Sequence, residues 1–235
     1  LDLKKVVTVG EYAFDGCTGL ENVNFGNTKT LGRQAFSNCS GLTSIDLKNV
    51  VEIGRAAFYG CTGLTSIDLK MVTTLGCYAF SGCTGLKSAK LGKVSTWKTN
   101  YDSAYSDDVN SAFLNCTSLE TVDLGETSTL GNYLFRGCTA LKDIDLKNLS
   151  EFGNGAFYGC TGLTDLDLNK FAQLGTNTFM GCSGLKSLGI LKASKLDAST
   201  FDGCSAIETL VLPYEWGVDF KMTLSGTTQL RTLYI

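Results

Sequence analysis

The 235-residue chain predicts an α/β repeat solenoid, with one parallel strand and one short helical turn in each coil. Three observations predict it. Cysteines recur at Cys17, Cys39, Cys61, Cys83, Cys116, Cys138, Cys160, Cys182 and Cys204, and every interval except that from Cys83 to Cys116 is 22 residues. A phenylalanine stands three residues before each cysteine, from Phe14 to Phe201, and an apolar residue three after, from Leu20 to Ile207. A fixed period of this length means stacked coils, because one coil cannot bury its apolar face alone.

Each element of the coil follows from its residues. In LTSIDL (42–47), apolar Ile45 and Leu47 alternate with Ser44 and Asp46, the period of a half-buried strand. Repeated once per coil, it gives a parallel sheet along the stack. In VVEIGRAAF (50–58), Val50, Ile53, Ala57 and Phe58 have the spacing of a short helical turn or an irregular arc. Gly or Asn precedes every column cysteine, as at Gly16, Asn38, Gly60 and Asn115, and suits a left-handed stop to that turn. A second glycine column, including Gly32, Gly54 and Gly76, marks a bend before it.

Residues 1–235 read as a single solenoid. The long interval places an 11-residue insertion within 94–109, which carries Trp97, Tyr101 and Tyr105. Insertions in repeat proteins map to loops and often bind. The last coil, 213–235, is degenerate: Leu224 replaces the phenylalanine and Thr227 the cysteine, as terminal repeats do. The chain opens without Met and inside a strand, at Leu1-Asp2-Leu3, as expected of a fragment or mature segment.

Net charge is −3 with no basic block, which argues against a nucleic-acid partner. No run of 18 apolar residues offers a membrane span. Nine cysteines in one file cannot all pair, so the column reads as buried free thiols that fill space. Cys77 lies outside the file, where other coils have Glu11, Arg33 or Asn132, and is expected to be exposed. There is no histidine and no C-x-x-C, so neither a metal nor a cofactor is expected.

The outward strand positions form columns of their own. One runs Asn24, Asp46, Asp68, Lys90, Asp123, Asp145, Asp167; beside it run Ser44, Ser66, Ser88, Thr121, Asp143. Lys48, Lys70 and Lys147 stand two residues past aspartates and offset their repulsion. The candidate binding residues are therefore Trp97, Tyr101 and Tyr105 of the insertion, the adjoining face at Ser88, Lys90, Thr121 and Asp123, and the regular aspartates Asp46, Asp68, Asp145 and Asp167. Large rings of this kind anchor interfaces.

At AFYGCTGLTSIDL (56–68) the chain resembles the BspA-type leucine-rich repeat, whose unit carries an IGxxAFxxCxxLxxIxLP pattern. The likeness covers residues 1–212 well and the last coil weakly, and the proline of the pattern appears only as Pro213. The resemblance implies a curved leucine-rich-repeat solenoid with its sheet on the concave side. It also implies a secreted or cell-surface protein of bacteria, linked to adhesion, with a host or matrix protein or a glycan as partner, and it carries no catalytic residue over. A non-catalytic recognition scaffold is thus the expected function. The alternatives are a parallel β-helix enzyme acting on polysaccharide, which generally shows several strands per coil, and a purely structural spacer.

Overall fold

The computed structural model describes residues 1–98, 110–215, 222–224 and 226–235. Its strands form three parallel sheets, which follow two lines along the stack. One contains β1 (Thr8–Val9), β2 (Thr30–Leu31), β3 (Glu52–Ile53), β5 (Thr74–Leu75) and β7 (Thr96–Trp97). The other contains β4 (Ser66–Asp68), β6 (Ser88–Lys90), β8 (Thr121–Asp123) and β9 (Asp143–Ile144), then β10 (Asp165–Asp167), β11 (Ser187–Gly189), β12 (Thr209–Val211) and β13 (Thr232–Tyr234). The β10–β13 ladder is the alternating strand read from sequence. Its register steps by 22 residues from β10 to β12, with Asp165 beside Ser187 and Ser187 beside Thr209, and by 23 to β13, with Thr209 beside Thr232. The β1–β7 ladder is an addition to the expected single strand per coil. Its strands are two residues long, too short to show alternation, and bridges between Thr129 and Glu151 and between Gln173 and Lys195 continue its line. Strand number therefore does not separate this solenoid from a β-helix.

The expected helical turn is absent among the described residues. The segment that follows each β1–β7 strand has a different hydrogen-bond logic. Alternate amides leave the coil: Ala56, Phe58 and Gly60 donate to the carbonyls of Cys77, Ala79 and Ser81 in the next coil at 2.8–2.9 Å. The amides between them close tight turns, Ala57 to Gly54, Tyr59 to Ala56 and Cys61 to Phe58. An α-helix would need every amide for its own segment. Positive φ twice per coil, at Ala56 (53°) and Gly60 (67°), also rules it out. The Gly/Asn column thus has its expected left-handed backbone, but a second left-handed column, held by Tyr12, Gln34, Ala56 and Tyr78, does not announce itself in sequence. The Gly32/Gly54/Gly76 column serves close stacking: a Cβ on Gly54 would lie 2.8 Å from the Gly32 carbonyl carbon.

The core is one row of apolar side chains from Leu3 to Leu212. Phenylalanine rings from Phe14 to Phe201 stack along it, with centroids 5.1–5.7 Å apart and planes within 18°. All ten cysteines are free. From Cys39 onward each column thiol donates to the carbonyl of the preceding coil's phenylalanine, as Cys61 Sγ does to Phe36 O at 3.1 Å. The thiols are therefore hydrogen-bond donors as well as fillers. Cys17, first in the file, is exposed. Cys77, expected on the surface, is buried. Arg33 and Arg55, which hold the same position in the two preceding coils, lie close to its thiol and are themselves only partly exposed.

Candidate binding surface

The predicted residues occupy two separate places. Register sets Ser66, Ser88, Thr121 and Asp143 side by side, and Asp68, Lys90 and Asp123 side by side. Ser88, Lys90, Thr121 and Asp123 therefore form one patch across β6 and β8, with Ala89 and Val122 buried behind it. Lys90 is a lone cation between two aspartates. Asp46, Asp68, Asp145 and Asp167 continue the same column in other coils and are exposed.

Trp97 lies on the other ladder, in register with Leu75. It takes the inward place held by Val9, Leu31, Ile53 and Leu75, and is half-buried against the core. Its indole Nε1 donates to Thr129 O at 2.9 Å. Because the period holds through Trp97 and Lys98, the extra residues fall between Lys98 and Asn110. Tyr101 and Tyr105 lie outside the described residues. The neck of the insertion is closed by Asn110, which sequence reading overlooked. This buried side chain donates to Lys98 O (3.0 Å) and Leu75 O (3.3 Å) and accepts from the Ala112 amide (3.1 Å). The only hint in sequence was that Asn132 and Asn154 follow it in the same column. The stack runs on across the insertion, with Phe80 donating to Ala112 O at 2.8 Å.

The aspartate column has a local task as well as an exposed one. One carboxylate oxygen of Asp46, Asp68, Asp123, Asp145 and Asp167 accepts the amide two residues on, at 2.9–3.1 Å, and so shapes the turn that leaves the strand. The anticipated lysine compensation is seen at Asp46–Lys48 and Asp145–Lys147, both 2.7 Å. Hydrogen bonds from those lysines, the largest influence, hold both carboxyls below their ordinary range. Asp145 in turn holds the Lys147 ammonium above its own. Such exposed pairs contribute little to stability, because water screens them.

Chemically, the face offers carboxylates, hydroxyls and lysine ammonium groups at fixed spacing along the stack. Nothing in it indicates catalysis. No group of three metal-binding side chains occurs among the described residues, and no described helix is long and apolar enough to cross a membrane.

The chain matches the family model described as a BspA type leucine rich repeat region, in 6 copies, over residues 3–108 and 109–218. Among solved structures, it is similar to a leucine-rich repeat protein of T. pallidum, at 31% identity over 67% of this chain and 72% of that one, with a TM-score of 0.58. It is also similar to one from Bacteroides ovatus, at 26% identity over 98% of this chain and 70% of that one, with a TM-score of 0.59. The pneumococcal vaccine antigen PcpA shares the fold at 17% identity, covering 100% of this chain and 67% of that one, with a TM-score of 0.51. No curated protein matches. A continuous stack of 22-residue coils, its phenylalanine and cysteine files and these matches lead to one assignment: the chain belongs to the BspA-type leucine-rich repeat family.

Proposed function

We propose that the chain is a non-catalytic recognition scaffold of the bacterial cell surface, which binds a host or matrix protein or a glycan through the outward columns of the β4–β13 line. The observation that carries this reading is the register of β6 and β8. It gathers Ser88, Lys90, Thr121 and Asp123 into one exposed patch on a backbone fixed by parallel pairing. Family membership supports the surface location and the adhesive role, which the resemblance implies. Lys98 and Asn110, the described residues on either side of 99–109, are joined by a hydrogen bond and belong to the coil that also carries Lys90; Tyr101 and Tyr105 fall in that interval of the sequence. In this reading the sheet lines the concave side, where extended contact is greatest.

The test is a deletion of residues 99–109, which restores the ordinary 22-residue succession, together with Lys90→Asp, which makes the aspartate column uniform. Wild type, deletion and Lys90→Asp are compared on immobilised extracellular-matrix proteins and on a glycan array. Both variants should keep the wild-type circular dichroism and lose binding at least tenfold. Binding unchanged in both would remove the patch and the insertion from consideration. Sugar release from the array by wild type would overturn the non-catalytic reading.

A further inference from the structure

Each line of strands is interrupted at more than one place, but among the described residues both are interrupted together only between the coil carrying Asp145 and the coil carrying Asp167. Along one line β9 does not pair with β10, and along the other Glu151 does not pair with Gln173. The turn side of the same seam is intact: Gly155, Phe157 and Gly159 donate to Thr176 O, Thr178 O and Met180 O at 2.8–2.9 Å. Lys170 also bridges it, its ammonium donating to the carbonyls of Leu146, Lys147 and Leu149 at 2.6–2.8 Å. The coils are thus held at both flanks of the opening.

Two rings stand beside this opening. Phe152 stands in the column of Leu31, Ile53, Leu75 and Leu174, and Phe171 in that of Val50, Val72 and Val94. Their centroids are 4.6 Å apart, and Phe152 also lies edge-on to Phe179. Two aromatic rings fill slots sized for aliphatic side chains, and the backbone beside them does not close. A cleft of about 500 Å³ remains, lined by Ser150, Glu151, Phe152, Ala172, Gln173 and Leu174.

Its walls carry solvent-facing backbone groups that the neighbouring coil does not take up. In an ordinary coil, Val51 and Glu52 both donate to Lys29 O, and Gly54 donates to Leu31 O. Here Ala172 and Gln173 make no such bond to Ser150 O, nor Gly175 to Phe152 O. The cleft is mainly polar, with the half-buried ring of Phe152 among converging polar groups, and is large enough to admit a small ligand. The ligand must both accept from amides and donate to carbonyls within a short distance, which hydroxyl groups do. The exposed carboxylate of Glu151 disfavours an anion, and the amides of Ala172 and Gln173 disfavour a bare cation.

We propose that this cleft is a subsite for a neutral sugar residue, seated over Phe152 and bonded to the Ala172 and Gln173 amides and the Ser150 carbonyl. It rests on the recognition-scaffold reading for its ligand class, but it is a different surface from the β6–β8 patch.

The experiment titrates isotopically labelled protein with neutral hexasaccharides: maltohexaose, cellohexaose, mannohexaose and chitohexaose. At least one should shift the Ala172 and Gln173 amide signals, leaving those of Ser88 and Thr121 in place. The double variant Phe152→Leu/Phe171→Val, which restores the aliphatic residues of neighbouring coils, should close the ladder. Closure is read as slower amide exchange at Ala172 and Gln173, and affinity should drop at least tenfold. Ala172→Phe, which blocks the mouth without touching the core, should give the same loss and covers failure of the double variant to fold. Absence of any shift at Ala172 and Gln173 with all four sugars, or unchanged affinity in Ala172→Phe, would overturn the proposal. Neither result touches the β6–β8 patch, whose own test stands apart.

Discussion

Replacing Phe58 with alanine tests the one-dimensional stack most directly. The ring is fully buried. It lies between Phe36 at 5.6 Å and Phe80 at 5.2 Å, with Phe25 edge-on at 6.3 Å. Removing a buried aromatic loses its transfer free energy, ~1.5–3 kcal/mol. The vacated volume cannot close, because the backbone on each side is tied to the next coil; Phe58 and Phe36 donate to Ala79 O and Ala57 O. Transfer and cavity together come to ~3–5 kcal/mol. Phe14→Ala is the comparison. That ring is half-buried, and Phe36 at 5.1 Å is its one stacked partner among the described residues. With half the surroundings, its loss should cost ~1–2 kcal/mol, because interfaces in a repeat array contribute singly. Urea unfolding followed by circular dichroism gives both numbers. Phe58→Ala should also lower the slope of the transition or split it in two, since a weak interface lets the array unfold in segments. Equal costs at both sites, with unchanged slopes, would refute the nearest-neighbour account.

The thiols and the aspartates give two further outcomes. Without reductant, iodoacetamide at pH 8 should modify Cys17 first, and full alkylation after unfolding should show no disulfide by intact mass. Burial pushes Cys39 up to about 11 and Cys204 up to about 12, and the Cys83, Cys116, Cys160 and Cys182 thiols well above the ordinary value, so a native column thiol that labels as fast as Cys17 contradicts the packing. Asp46 and Asp145 are held below their ordinary range by Lys48 and Lys147. The stability they confer is complete above the unfolded carboxylate pKa and is lost as pH falls through the lower, folded value. Asp46→Asn and Asp145→Asn together should therefore reduce stability at neutral pH slightly and flatten its fall between pH 5 and 2. An acid limb as steep as in wild type would mean that the two pairs are not coupled to folding.

Much of the coil was legible because it is local. Alternation of Ile67 with Ser66 and Asp68 fixes which side chains face the core, and a strand obeys that rule whatever surrounds it. The Gly/Asn column fixes a left-handed backbone at Gly60 and Asn115 because other residues pay steric strain there. Lys48 and Lys147 stand two residues from their aspartates, close enough for the pairing to be read in the chain itself. The candidate site was legible to the same depth: Ser88, Lys90, Thr121 and Asp123 share a patch because the period sets the register.

What tertiary structure alone decided depends on residues a full coil away. Ile53, Ala57 and Phe58 have helical spacing, yet the Phe58 amide bonds to Ala79 O and no helix forms, because a neighbouring coil offers carbonyls at the right distance. Trp97 had the look of a loop aromatic, but the inward slot beneath Leu75 and the carbonyl of Thr129 drew it into the core. Cys77 is buried among stacked coils, with Arg55 and Arg33 of the two preceding coils near its thiol. The seam at Phe152 is the clearest case. Whether two coils close their hydrogen-bond ladder is set by the summed width of side chains 22 residues apart, a property of the pair that no single segment of sequence contains.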